Sequence, residues 1–155
     1  MPSLKREKGR RFLVRRSRIH GKGIFALRTI PKRTIVIEYT GRRISHEKAD
    51  ELFGEEQENS PHTMLFTVND KIVIDATRNG NSARWINHSC TPNCETIDEK
   101  DHIFIETVRS IRPGEELTYD YNLQLGERHT KKAKAAHPCF CRTRNCRGTM
   151  VGDRD

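Results

Sequence analysis

The chain has 155 residues, 34% of them hydrophobic and 32% charged, with a formal net charge of +8, a pI near 9.5 and a mean hydropathy of −0.82. Such a length holds one domain with a compact core, and its basic surface attracts anionic partners, nucleic acid or chromatin among them. No apolar run approaches the roughly 18 residues of a membrane span, so a membrane partner is not expected.

Residues 1–11 set Lys5, Arg6, Lys8, Arg10 and Arg11 against Glu7 alone, which reads as a flexible basic tail over 1–10. Phe12-Leu13-Val14 predicts a short strand. His20-Gly21-Lys22-Gly23-Ile24-Phe25-Ala26 follows, where two glycines around a lysine allow a tight turn and a close approach to a ligand. The segment lacks the third glycine of a dinucleotide fingerprint and the ending of a P-loop, so both are excluded; a plain hairpin turn is the alternative. Residues 34–39 are β-branched and strand-like, ended by Thr40-Gly41. Ser45 caps a helix expected to run to about Phe53, and residues 54–61 read as an acidic, exposed loop. Residues 64–68 and 72–74 flank Asn69-Asp70-Lys71 as a hairpin, and Asn79-Gly80-Asn81-Ser82 is a further turn.

The stretch Arg84-Trp85-Ile86-Asn87-His88-Ser89-Cys90-Thr91-Pro92-Asn93-Cys94 concentrates an amide, an imidazole, a hydroxyl and two thiols. Cys90 and Cys94 do not complete a four-ligand site by themselves. The missing sulfurs come far downstream as Cys139, Cys141 and Cys146, so the C-terminus is expected to fold back onto the centre. Five cysteines cannot all pair internally. With no apolar export segment behind the basic N-terminus, metal ligation in a reducing, cytoplasmic setting is expected rather than disulfides. Residues 102–108 predict a strand, Arg112-Pro113-Gly114-Glu115 a turn, and 117–121 a strand with Tyr119 and Tyr121 on one face. Residues 126–138 form a basic connector of helical pattern. The coarse reading is mostly β, with many short strands and few short helices.

Five segments, HGKGIFA at 20–26, EYTG at 38–41, RWINHSCTPNC at 84–94, GEELTYDY at 114–121 and CFCRTRNC at 139–146, occur in the order found in SET-domain protein lysine methyltransferases with a post-SET zinc segment. The chain resembles that family from about residue 11 to 149, and is most similar to its stand-alone bacterial members. Three departures stand out. No cysteine precedes Cys90, so a cysteine-rich pre-SET segment is missing; Arg42 stands where an acidic residue often follows the YxG motif; and the 45–75 segment is short. The resemblance implies a mostly β SET-domain fold of several small sheets with a C-terminal pseudoknot. It divides the chain into a basic tail (1–10), a SET domain (11–125), and a connector with a post-SET zinc-binding segment (126–155).

The implied activity is methyl transfer from S-adenosylmethionine to a lysine amine of a protein or peptide, a histone or another basic protein. In that reading Tyr121 stands at the reacting centre and Tyr39 lines the lysine channel. Tyr119 limits the product mainly to monomethyl-lysine by helping to hold a water beside the amine. Tyrosines packed in a core with satisfied hydroxyls are the alternative. Lys22, Gly23 and Ile24, through their backbone, and Asn87, through its side chain, would hold the cofactor, with His88 beside the adenine and Phe140 packed on the cofactor or channel. Cys90, Cys139, Cys141 and Cys146 would hold one structural Zn2+, leaving Cys94 as a small buried residue. A free lysine has a pKa near ~10.4, so its neutral form lies about 4.6 kcal/mol uphill at pH 7, and no dedicated base is visible. The resemblance also keeps the nucleus or chromatin open as a location. Two competing readings are a zinc-stapled basic nucleic-acid-binding module and a SET-like scaffold that binds cofactor without turnover.

Overall fold

The computed structural model describes residues 10–59, 64–124 and 129–152, with side chains described outside 54–59. The expected basic tail (apart from Arg10), the end of the expected acidic loop and the start of the connector lie outside the described residues.

The first hairpin joins β1 (Phe12–Arg16) to β2 (Lys22–Ala26), antiparallel, with Phe12 opposite Ala26 and Arg16 opposite Lys22. Its turn closes through the Ser17 amide donating to the Gly21 carbonyl at 2.7 Å, and Gly21 takes a positive φ of 46° that a side chain would resist. β3 (Ile35–Tyr39) then leads to β4 (Arg42–Ile44) and helix α1 (His46–Asn59). A hairpin follows from β5 (Leu65–Thr67) to β6 (Val73–Asp75), then a 3₁₀ turn (Ser82–Trp85), β7 (Asn87–His88), β8 (Cys94–Glu99), β9 (His102–Thr107), β10 (Thr118–Tyr119) and helix α2 (Lys131–Ala135). Two three-stranded antiparallel sheets result, ordered β3-β9-β8 and β4-β6-β5, while β7 and β10 pair in parallel.

The mostly β reading therefore holds, with specific differences. Helix α1 continues through residues 54–59, where a loop was expected. Glu55, Glu56, Gln57 and Glu58 are good helix formers, so one Gly54, at about 1 kcal/mol relative to alanine, does not end the helix. β4 and β8 escaped the sequence reading because neither Arg-Arg-Ile nor Cys-Glu-Thr-Ile-Asp-Glu shows a clean apolar alternation. Their strand character comes from pairing with β6 and β9. Among the described residues, no helix is long and apolar enough to cross a membrane.

Ile24, Ile74, Ile86, Ile105, Ile111 and Leu117 are fully buried at the centre. Alternation along β9 explains part of this, since Ile103, Ile105 and Thr107 all point inward. Asp75 and Asn93 are among the polar groups buried with them. Asp75 accepts from Arg42 at 2.9 Å, from the Thr77 amide at 3.0 Å and from the Thr77 hydroxyl. Burial raises its pKa, but these hydrogen bonds outweigh burial and hold the carboxyl below its ordinary range. Asn93, only 4% exposed, accepts the Thr118 amide at 2.9 Å and donates to the Glu116 carbonyl at 2.8 Å. This amide stitches the 87–94 segment to the strand carrying Tyr119. Replacing Asn93 with Ala orphans one buried N–H and one C=O, at about 1–3 kcal/mol each. Thermal denaturation of Asn93→Ala should show a Tm lowered by about 5–15 °C. An unchanged Tm would mean that the stitch is dispensable.

Candidate active site and cysteine cluster

β7 and β10 are only two residues long each, yet their parallel register, Thr118 opposite Asn87 and Tyr119 opposite His88, brings two motif segments side by side. His88 is nearly fully buried. Its Nδ1 accepts the Tyr121 amide at 2.9 Å, which leaves the proton on Nε2, 3.4 Å from the Cys90 sulfur. Burial, with Arg147 close by and only partly offset by Asp120, pulls the imidazole pKa down to about 4, so His88 is neutral at physiological pH.

Aromatic rings run in a row from this point. Tyr121 lies 4.9 Å from Tyr119, Tyr119 lies 6.4 Å from Phe66, and Phe66 lies 5.2 Å from Tyr39, between ring centroids. The Tyr39 hydroxyl donates to the Met64 carbonyl at 3.3 Å and the Tyr121 hydroxyl to the Ile86 carbonyl. All three phenols have pKa values pushed well above the usual, first by burial and then by neighbouring acidic groups. They stay protonated. The Tyr119 hydroxyl makes no hydrogen bond among the described residues and is free to meet what enters the row.

On the other side of Tyr121 lies a small pocket, partly open to solvent, lined by Ile19, His20, Asn87, His88, Tyr121, Phe140 and Met150. Phe140 is 43% exposed and stacks with His20 at 6.5 Å and an interplanar angle of 18°. The Asn87 amide nitrogen lies 3.0 Å from the His20 carbonyl, 3.0 Å from the Lys22 carbonyl and 2.9 Å from Glu116 Oε2. With its donors so engaged, Asn87 keeps its carbonyl oxygen as the free group. Lys22, Gly23 and Ile24 do not line this pocket. The Lys22 carbonyl meets Asn87, the Lys22 ammonium sits over the Trp85 ring at 4.9 Å, and the Ile24 carbonyl accepts the Leu117 amide at 2.8 Å. A Cβ at Gly23 would stand 2.7 Å from Glu116 Oε2, so glycine lets that carboxylate reach Asn87.

Sulfurs from Cys90, Cys139, Cys141 and Cys146 all lie within 4.8 Å of one another, while Cys94 is buried elsewhere with its thiol pKa raised by burial to about 12. The Cys90 and Cys139 sulfurs are 3.7 Å apart, matching the edge of a tetrahedron built on metal–sulfur bonds of about 2.3 Å. Burial raises the Cys141 thiol, but backbone amides and the Thr143 hydroxyl outweigh it and bring the pKa down to about 6. Such a set can hold a metal ion. The Arg147 amide donates to Cys90 sulfur at 3.3 Å, and its guanidinium grips Asp120, between the two tyrosines, at 2.7 and 3.1 Å. The cluster is thereby tied to the strand that carries Tyr119 and Tyr121.

Four residues of this arrangement escaped the sequence reading. Phe66 completes the aromatic row, Glu116 orients Asn87, Asn93 stitches the strands, and Arg147 links cluster to tyrosines. Glu116 and Asn93 lie inside the motifs and Arg147 follows one, but only their partners in space mark them out. Elemental analysis of purified protein should give about one metal ion per chain, a closed four-sulfur site needing no further ligand. Cys141→Ser should lose most of it, and equal metal in variant and parent would contradict the cluster.

The profile of the SET domain matches residues 21–122. The chain is 42% identical over 139 residues to histone-lysine N-methyltransferase 2D of Homo sapiens, covering 87% of this chain and 2% of that protein. It is 40% identical over 137 residues to an H3 lysine-4 specific histone-lysine N-methyltransferase of Mycosarcoma maydis, covering 85% and 9%. It is 36% identical over 151 residues to histone-lysine N-methyltransferase trr of Drosophila melanogaster, covering 95% and 6%. The chain thus spans less than a tenth of the length of these relatives. With its motif segments folded against one another as described, the chain belongs to the SET-domain family.

Proposed function

We propose that this domain transfers the methyl group of S-adenosylmethionine to the side-chain amine of a lysine in a protein, with histones and other basic proteins as the substrate class. One observation carries the reading. Tyr121 belongs both to the pocket lined by His20, Asn87, His88 and Phe140 and to the aromatic row that leads through Tyr119 and Phe66 to Tyr39. The pocket and the row of packed aromatic rings meet at one tyrosine. The relatives named above are histone-lysine methyltransferases, which supports lysine as the acceptor.

The lining suits the cofactor. Phe140 and His20 offer flat faces for an adenine, and the free Asn87 oxygen is an acceptor for an ammonium. When bound, S-adenosylmethionine supplies an electrophilic methyl carbon on a sulfonium. Everything else falls to the residues of this chain. Tyr121, donating to the Ile86 carbonyl, keeps an oxygen lone pair to accept from the substrate amine and so turns the amine's own lone pair toward the pocket. Its raised pKa rules out a role as the base. The buried surroundings of Tyr39 and Tyr121 disfavour an ammonium, and burial can lower a lysine pKa by several units, the size of shift required. Cys90, Cys139, Cys141 and Cys146 hold a zinc ion in a closed structural site, which fixes Phe140 between two of its ligands at the pocket edge.

Tyr121→Phe removes the group that orients the amine. Turnover on a lysine peptide should fall about tenfold or more, at least ~1.4 kcal/mol, while cofactor affinity by calorimetry moves much less. Unchanged turnover in a folded variant would remove Tyr121 from the mechanism.

The free Tyr119 hydroxyl can help to hold a water beside the amine, which denies space to an amine that is already methylated. Monomethyl-lysine is the expected product. Mass spectrometry of one peptide taken to completion should show Tyr119→Phe shifting products toward di- and trimethyl-lysine, because the water is then weakly held. Efficient trimethylation by the parent protein would overturn this.

A further inference from the structure

Glu116 is not part of the lining of the pocket beside Tyr121, yet its carboxylate ties two parts of that lining together. Oε1 accepts the Ser17 hydroxyl at 2.6 Å, and the Ser17 oxygen in turn accepts the Ile19 amide at 2.9 Å, which fixes the turn that carries Ile19 and His20. Oε2 lies 2.9 Å from the amide nitrogen of Asn87, far away in the sequence. The backbone of Glu116 is itself held, by a bridge to Phe25 in β2 and by the Asn93 side chain, which donates to its carbonyl at 2.8 Å. Space for the carboxylate exists because position 23 is glycine: a Cβ there would stand 2.7 Å from Oε2 and 2.9 Å from the carboxyl carbon. The methyl transfer proposed above gives this carboxylate no task.

Asn87, only 2% exposed, presents two N–H donors to three oxygens: the carbonyls of His20 and Lys22, at 3.0 Å each, and Glu116 Oε2. Turning the amide over would set its own oxygen against all three, and the charged carboxylate would be the costliest of these contacts. The amide is therefore locked with its oxygen as the free group. A charged acceptor also strengthens the hydrogen bond it receives and polarises the amide, which makes the free oxygen a better acceptor for a cation. Arg15, Arg16 and Arg18 line an open groove with Glu116, but all three are exposed and, among the described residues, none forms an ion pair with it, so water weakens their hold on its charge. We propose that Glu116 is a positioning residue which, acting through Asn87, makes the pocket select a ligand that carries an ammonium group. The inference rests on the proposed binding of S-adenosylmethionine in this pocket, since the amino-acid end of that molecule carries such a group.

The test is calorimetry of the full chain with S-adenosylhomocysteine and with its analogue in which hydrogen replaces the amino group. Neither ligand can donate a methyl group, so the readout is independent of turnover. The parent should bind S-adenosylhomocysteine more tightly than the analogue. Glu116→Gln keeps the size of the side chain and removes its charge. It should weaken S-adenosylhomocysteine about tenfold, the effect of losing one charged hydrogen-bond acceptor, and leave the analogue within about twofold. Glu116→Asp, which restores the charge on a shorter arm, should recover part of the preference, and thermal melts check that both variants are folded. Equal weakening of the two ligands by Glu116→Gln would reveal a structural role only and overturn the proposal, as would unchanged affinity for S-adenosylhomocysteine. A parent that binds the two ligands equally would overturn it without any variant. Failure of the parent to bind either ligand would remove the cofactor reading itself, and this inference with it, so the two failures are told apart.

Discussion

Two buried side chains hold together segments that lie far apart in the sequence. Asn93 pairs with the peptide groups of Glu116 and Thr118, and His88 accepts the amide of Tyr121. A parallel pair of two-residue strands has too few ladder bonds to persist unaided. In a low-dielectric interior, an amide and a neutral imidazole used as cross-links replace the missing ladder, and leaving them unpaired is costly. The placement of Tyr119, Tyr121, Asn87 and Cys90 follows from this seam, because each lies within a few residues of it.

The cysteine cluster closes the same seam from outside. Cys139, Cys141 and Cys146 belong to a segment with little regular structure, whose described contacts include a bridge between Pro138 and Thr149 and another between Leu123 and Val151. A short segment of that kind buries little apolar area, so a metal ion held there would supply part of the folding free energy. Arg147 converts the tie into geometry by gripping Asp120 between the two tyrosines while its amide meets the Cys90 sulfur. Phe140, flanked by Cys139 and Cys141, is thereby held against His20 at the pocket rim. Cysteine cluster, aromatic rim and tyrosine pair are thus tied into one unit.

Much of this is legible in the sequence, for a chemical reason. The motif segments concentrate residue types that rarely cluster by chance. The expected juxtaposition of Tyr119 and Tyr121 is seen in rings 4.9 Å apart, although the strand itself ends at Tyr119. The cysteine spacing likewise points to a fold-back that brings the sulfurs of Cys90, Cys139, Cys141 and Cys146 together. What stays hidden is whatever depends on a partner elsewhere in the chain. β8 is a strand because β9 lies beside it, and Glu116 matters because Gly23 leaves room for it. Phe66 has the sequence setting of any strand phenylalanine, and only Tyr39 and Tyr119 on either side of it in space give it a role. Of the expected backbone positions 22–24, the Lys22 carbonyl meets Asn87 at the pocket.

Burial is the common cause behind the protonation states of the site. It lifts the pKa values of Tyr39, Tyr119 and Tyr121, and leads the effects that lower that of His88, so all four are neutral at physiological pH. A lysine amine entering the same surroundings is subject to the same penalty on its charged form. The free energy to be met, about 4.6 kcal/mol, corresponds to a pKa shift within the range that full burial of a lysine produces. Neutralising the nucleophile then requires exclusion of water rather than a basic side chain. On that account a row of uncharged phenols, which would be a poor base catalyst, is a sufficient setting for the methyl transfer proposed above.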